Sequence, residues 1–220
     1  MPRALPTGFM PKVIEFDGRT YRYAVWVPAD YTPRKRWPVI LFLHGKGECG
    51  DDGQSHTTVG LGKAIRSHPK RFPALVVMPQ IPAGRRWEGS MQVLALATLE
   101  ATLKEYHVDR ARVVLTGLSL GGYGTWLLGA RHPETFCALV PICGGGDSAD
   151  ADRLARVPIW CFHGEADAVV PVQRSREMVT AVRGAGGRVR YTELRGVPHN
   201  CWDAAYGDPE VIAWMLAQRR

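Results

Sequence analysis

The sequence predicts an α/β fold: one largely parallel sheet of about eight strands with helices packed on both faces. Three observations lead there. Short apolar runs alternate with longer stretches of helical character along most of the chain. Several of those runs are continuously apolar, as expected of parallel strands covered on both faces. The chain has 220 residues, enough for one domain to bury a substantial core, so residues 1–220 are read as a single unit.

The first element differs from the rest. Residues 13–16 and 21–27 carry strand-forming side chains and flank Asp17-Gly18. A two-residue turn of type I′ needs positive φ at both central positions, which Asp-Gly supplies, so the sheet begins with an antiparallel hairpin. Buried strands follow at residues 39–43, 75–78, 113–116 and 138–142, and two more at 159–162 and 188–194. Helical segments separate them at 59–67, 91–106, 120–130, 172–183 and 209–217. Only about fifteen residues lie between Ile142 and Pro158, where folds of this kind often insert a cap domain. No cap fits there, and an open site is expected.

Composition excludes several classes. The net charge is +7, but the basic residues are scattered, with short clusters only at Arg34, Lys35 and Arg36 and at Arg219 and Arg220. No Lys/Arg stripe interleaves with aromatics, so no nucleic-acid partner is expected. No run of 18 apolar residues exists, so no membrane span is expected. Residues 1–8 lack the apolar core of a signal peptide, which predicts a cytoplasmic protein, or a secreted one if a leader has been removed. Five cysteines at irregular spacing argue against a disulfide framework. Asp51, Asp52, Glu48 and His56 match no zinc or calcium spacing and read as a solvated loop.

The chemistry begins at Gly117-Leu-Ser119-Leu-Gly121, with a strand before it and a helix after. In the α/β-hydrolase fold this G-x-S-x-G turn lifts a nucleophilic serine to the carboxyl edge of the sheet. The chain reverses within a residue or two, and side chains at Gly117 or Gly121 would collide across the turn. The Leu120 amide stands at a helix N-terminus beside Ser119 and is suited to hold an oxyanion. A serine hydroxyl needs a base, and the base needs an orienting carboxylate, in the chain order Ser, acid, His. The strand ending at His163-Gly164 is followed by Glu165 and Asp167; both qualify by position. Asp167 is preferred because it begins the loop's return toward Pro171. Asp203 comes too soon after the histidine to lie on a separate strand-end loop. His199 follows the last strand and is the only histidine after His163. The strand at 39–43 ends in His44-Gly-Lys46-Gly, and the Lys46 amide is expected as the second oxyanion donor, with His44 locking the loop through its ring. Trp87 and Trp202 fall on loops expected at the active edge, where they either wall a substrate pocket or pack in the core.

Together these segments, with Pro79-Gln80, Arg86-Trp87 and Pro141-Ile-Cys-Gly-Gly-Gly146, resemble the small bacterial α/β-hydrolase esterases often labelled "predicted peptidase" or phospholipase/carboxylesterase. These are relatives of feruloyl esterases, polyhydroxybutyrate depolymerases and dienelactone hydrolases. The likeness runs from about Tyr21 to the C-terminus. It implies Ser119, Asp167 and His199 as triad, the Lys46 and Leu120 amides as oxyanion hole, and Asp167 over Glu165. Dienelactone hydrolases use a cysteine nucleophile, and the serine here counts against that activity. Feruloyl esterases and depolymerases are usually secreted, and no leader is seen. The expected function is hydrolysis of carboxylic esters of short or aryl acyl groups, small-molecule substrates, with no cofactor and no metal. The alternatives are an amidase or peptidase, or a non-catalytic binding module on the same fold.

Overall fold

The computed structural model describes residues 6–220, so most of the N-terminal segment on which the leader expectation rests lies outside the described residues. The strands are β1 Gly8–Phe16, β2 Arg19–Val27, β3 Trp37–Leu43, β4 Leu75–Pro79, β5 Val108–Leu118, β6 Ala138–Ile142, β7 Ile159–Gly164 and β8 Val189–Leu194. They form one eight-stranded sheet in the order β1-β2-β4-β3-β5-β6-β7-β8. β1 and β2 pair antiparallel about the Asp17-Gly18 turn, where both residues have positive φ, 51° and 70°. β2 is antiparallel to β4, and the pairings from β4 through β3 and β5 to β8 are parallel. This is the α/β-hydrolase architecture.

The helices are α1 Leu61–Ser67, α2 Ser90–Glu105, α3 Leu120–Arg131, α4 Ala151–Leu154, α5 Gln173–Gly184, α6 Trp202–Gly207 and α7 Pro209–Ala217. Two apolar layers enclose the sheet. On one side Leu94 and Leu99 of α2, Trp126 and Leu128 of α3 and Met178 and Val182 of α5 pack with Val39, Leu41, Leu115 and Cys161. On the other, Leu61 and Ile65 of α1, Tyr206 of α6 and Ile212 and Met215 of α7 pack with Ile40, Phe42, Val140 and Phe162. Successive residues of a strand face opposite sides. Leu41 and Phe42 therefore serve different layers, and β3 is apolar throughout.

Differences from the sequence reading have local causes. β3 starts at Trp37, and its register shifts between Trp37 and Val39, where Pro38 supplies no amide donor. α1 begins at Leu61, later than expected, because Gly60 holds φ at +57° and turns the chain. The stretch after His199 is not a continuous loop: α6 occupies Trp202–Gly207 before α7 begins at Pro209, capped by the Asp208 carboxylate on the Glu210 amide. Residues 143–158 carry only a short 3-10 turn and α4, with no further layer over the sheet edge.

Candidate active site

Ser119 sits between β5 and α3 with φ 54° and ψ −114°, a conformation L-residues adopt at a cost of about 1–3 kcal/mol. The surroundings impose it. The Ser119 amide donates to the Ile142 carbonyl at 2.9 Å, and the Ser119 carbonyl accepts from the Tyr123 amide at 3.0 Å. The flanking glycines touch backbone: a Cβ on Gly121 would stand 1.9 Å from the Leu43 oxygen, and one on Gly117 would stand 2.4 Å from the Gly121 oxygen. The turn closes only because neither residue has a side chain.

Two loops bring the partners. β7 ends at Gly164, and Asp167 follows in a tight turn. Its Oδ1 accepts from the amides of Val169 and Val170 at 2.8 and 2.9 Å. The loop after β8 docks on that turn through the Val197 carbonyl, which accepts the Ala166 amide at 3.0 Å. Gly164 permits the contact, since a Cβ there would meet the Val197 and Pro198 oxygens at 2.3 and 2.4 Å. His199 is thereby delivered to the site. Its Nδ1 lies 2.6 Å from Asp167 Oδ2, and its Nε2 lies 2.9 Å from Ser119 Oγ. With Nδ1 bearing the proton donated to the carboxylate, Nε2 is free to accept the serine proton.

The other acidic candidates are committed elsewhere. Glu165 accepts the Gly196 amide at 2.9 Å and so helps hold the His199 loop. Asp203 pairs with Lys63 at the surface, 2.8 Å apart. Burial pushes the Asp167 carboxyl up, but the hydrogen bonds from His199 and from the Val170 and Val169 amides outweigh it, and its pKa is lowered overall.

The loop after β3 stands against the serine turn: a Cβ on Gly45 would meet Leu118 Cδ1 at 2.8 Å. Lys46 opens a 3-10 turn, Lys46–Glu48, and Leu120 opens α3. First-turn amides have no acceptor within their own helix, so both N–H groups are available to a ligand. His44 holds this loop. Its Nε2 accepts the Ile81 amide at 3.2 Å, so the ring proton resides on Nδ1, which donates to the Gly45 carbonyl at 2.7 Å. Burial drives the His44 pKa down to about 3, and the ring stays neutral.

Of the two tryptophans, Trp87 lies on a loop as expected, and Trp202 does not. Trp87 is buried, its Nε1 donating to the His44 carbonyl at 3.0 Å, so it braces the loop after β3. Part of it also backs a hollow of about 170 Å³ bordered by Leu120, Tyr123, Leu127 and Gly145. Trp202 starts α6 rather than lying in a loop, and its ring stands edge-on to His199, centroids 5.3 Å apart. His56 is buried rather than solvated, and neither ring nitrogen has a hydrogen-bond partner. Asp52, four residues earlier, accepts from the Gln54 and Ser55 amides and from Gln80.

Three neighbours were not legible as parts of the site. Cys143 follows β6 at φ 41°, and its buried thiol contacts that of Cys201, with burial pushing its pKa well up. Its Sγ lies within 4.8 Å of ligand atoms of Asp167 and His199. Tyr206 donates to Thr116 Oγ at 2.8 Å, tying α6 to β5. His163 stands behind Asp167, its Nε2 3.2 Å from Oδ2. The sequence placed His163 at a strand end, but only the alternation of β7 after Cys161 hinted that it points toward α5. All five cysteines are free.

The family model described as "Putative esterase" matches residues 15–214, nearly the whole chain. The chain belongs to the esterase family. Among curated relatives, this esterase-family chain is 27% identical to the poly(3-hydroxyoctanoate) depolymerase of Pseudomonas fluorescens, over 86% of this chain and 77% of that one. It is 28% identical to poly(3-hydroxyalkanoate) depolymerase C of Paucimonas lemoignei, over 81% of this chain and 53% of the relative. Among solved structures it is similar to a thermostable esterase, with TM-score 0.88 and 34% identity across 96% of this chain. It spans 63% of that esterase and 53% of depolymerase C, so both are substantially longer than the matched part.

Proposed function

We propose that this member of the esterase family hydrolyses carboxylic esters through an acyl-enzyme on Ser119. One observation carries the reading: the unbroken line from Ser119 Oγ through His199 to Asp167, with links of 2.9 and 2.6 Å, standing at a strained strand-to-helix turn. In this reading His199 Nε2 removes the Ser119 proton as Oγ attacks the ester carbonyl. The Lys46 and Leu120 amides receive the charge that develops on the carbonyl oxygen, where a well-placed donor contributes about 3–4 kcal/mol. His199 then protonates the departing alcohol, and water repeats the sequence to release the acid. Asp167 fixes the ring tautomer and stabilises the imidazolium that forms.

The surface beside Leu120 supports a reading of the substrate class. The hollow lined by Trp87, Leu120, Tyr123 and Leu127, with Arg86, Glu88 and Asp147 also bordering it, is small and mostly apolar, which suits short or aryl groups on soluble esters. The esterases and depolymerases it resembles support ester bonds over amides. The test is turnover of a p-nitrophenyl ester series, acetate to palmitate, by wild type and by Ser119→Ala. Turnover fastest at short chains, falling at least about 10⁴-fold in Ser119→Ala with folding intact, is the expected outcome. A folded wild type inert across the series sinks the reading.

A further inference from the structure

His163 is fully buried, ionisable and unused by the three-residue mechanism. Its two ring nitrogens face different neighbours. Nδ1 lies 2.7 Å from Ser175 Oγ on α5. Nε2 lies 2.9 Å from the Val170 carbonyl and 3.2 Å from Asp167 Oδ2, the oxygen that also receives His199.

The surroundings decide the tautomer. Nε2 faces two oxygens that can only accept, so a bare lone pair there would be repelled twice; Nε2 carries the proton. Burial lowers the His163 pKa, so the ring is neutral and Nδ1 is an acceptor. Only the Ser175 hydroxyl can serve it. Ser175 Oγ has one proton and two acceptors in reach, Nδ1 at 2.7 Å and the Gly144 carbonyl at 3.1 Å, and the shorter contact takes it. The hydroxyl in turn accepts the Cys161 thiol at 3.4 Å.

Resting on the triad reading above, we propose that His163 is a positioning residue for the acid. Locked by Ser175, it holds the Val170 carbonyl and flanks Asp167 Oδ2, fixing the carboxylate where His199 must meet it. The hydrogen-bond line then has five members, from Ser119 at the surface to Ser175 in the core. The clamp acts twice. It fixes the turn, because the Val169 and Val170 amides that hold Oδ1 belong to the same segment as the carbonyl held by His163. It also shares the charge on Oδ2, leaving less of it for His199. The other charged groups near His163 are already paired: Glu193, opposite it on β8, binds Arg176 of α5 and accepts from the Tyr191 hydroxyl.

The test compares His163→Leu, His163→Gln and Ser175→Ala by kcat, KM, thermal midpoint and the pH profile of kcat/KM. Leucine removes the Nε2 donor, whereas the glutamine amide restores one near the same place. In His163→Leu, kcat falls about 10- to 100-fold with KM within about twofold. Its acid limb moves to higher pH, because Oδ2 keeps more charge to stabilise the protonated base. His163→Gln recovers kcat to within about fivefold of wild type, with the acid limb returned toward the wild-type position. Ser175→Ala shifts the limb the same way with a loss of about 3- to 10-fold. A folded His163→Leu with kcat and acid limb unchanged overturns the proposal. So does a His163→Gln as slow as the leucine variant with the limb unmoved, which is the mark of packing alone. If the histidine variants do not fold, Ser175→Ala decides: unchanged kcat and limb overturn the clamp. Ser119→Ala separates the two claims. If it stays active, the triad reading falls and takes this one with it; if it is inactive while the His163 and Ser175 variants are indifferent, this one falls alone.

Discussion

The carboxyl edge of β5 to β7 and the outer hairpin of β1 and β2 belong to one sheet but are built under opposite constraints. At the carboxyl edge, backbone meets backbone: added Cβ atoms on Gly121, Gly117 and Gly164 would lie 1.9 to 2.4 Å from main-chain oxygens. At the hairpin, Gly18 turns with φ +70° into open space, with nothing within 4 Å of an added Cβ. Polar groups divide the same way. Those at the carboxyl edge are buried or half-buried and interlocked, Asp167 with His199 and His163, and His44 with Gly45 and Ile81. Those at the hairpin are partly exposed, as in the pair of Lys12 with Glu105. A glycine can thus be required by its own backbone angle or by what stands across from it. Only the second kind marks the place where loops must converge on one point.

The difference can be broken most sharply at Gly121. Gly121→Ala puts a Cβ against backbone that has no room to give, and it is expected to cost about 4 kcal/mol or more, or to prevent folding. Gly184→Ala, at the end of α5 with nothing within 4 Å, is expected to be neutral or to stabilise by up to about 1 kcal/mol. Urea denaturation of both variants checks the pair. Equal stabilities would remove the distinction between a glycine hemmed in by backbone and one with open space around it.

Acid should sharpen the comparison next. Burial lowers the pKa of His44 to about 3 and of His56 to about 4, from 6.5 for the free side chain, and lowers that of His163 in the same direction. Each takes up a proton near 6.5 when unfolded but resists it when folded, so the unfolded state binds more protons below that pH. Their contribution is therefore whole above pH 6.5 and is lost as pH falls toward 4 and then 3. Asp167, with its lowered pKa, adds a loss in the same direction at lower pH still. The thermal midpoint should fall steadily from pH 6.5 to 4. His56→Leu should flatten the pH dependence of the unfolding free energy over that window by up to about 1.4 kcal/mol per pH unit. A midpoint independent of pH over that window contradicts the neutral buried histidines.

The smallest effect belongs to the hairpin. Lys12→Ala removes a partly exposed ion pair and a cation held 5.6 Å from the Tyr106 ring centroid. It should change stability by no more than about 1 kcal/mol and leave turnover alone, measured by denaturation and by ester hydrolysis.

What the sequence made legible follows the same division. The Asp17-Gly18 turn, the glycines around Ser119 and the Asp208-Pro209 start of α7 are local signals, each with a mechanism within a few residues. Asp167 and His199 could be placed because both lie on loops that leave a strand at one sheet edge. The rest depends on partners distant in the chain. For Trp87 the sequence left pocket wall and core packing open, and its bond to the His44 carbonyl, 43 residues back, could not be read from it. His56 sits among polar neighbours in sequence, and only the fold buries it. The six-residue α6 is too short to show a period, and Tyr206 within it is fixed by Thr116, 90 residues earlier. His163 and Ser175 are ordinary residues of a strand end and a helix until β7 and α5 bring them 2.7 Å apart.

The central claim is that Ser119 is an activated nucleophile, and covalent capture tests it most directly. The protein is incubated with a fluorophosphonate, whose phosphorus forms a bond to a nucleophilic serine oxygen as fluoride leaves, and the intact mass and peptide map are recorded. The account predicts one adduct per chain, on the peptide carrying Ser119, absent in Ser119→Ala and at least about 100-fold slower to form in His199→Ala. No adduct on folded wild type, or an adduct that persists in Ser119→Ala, would contradict it.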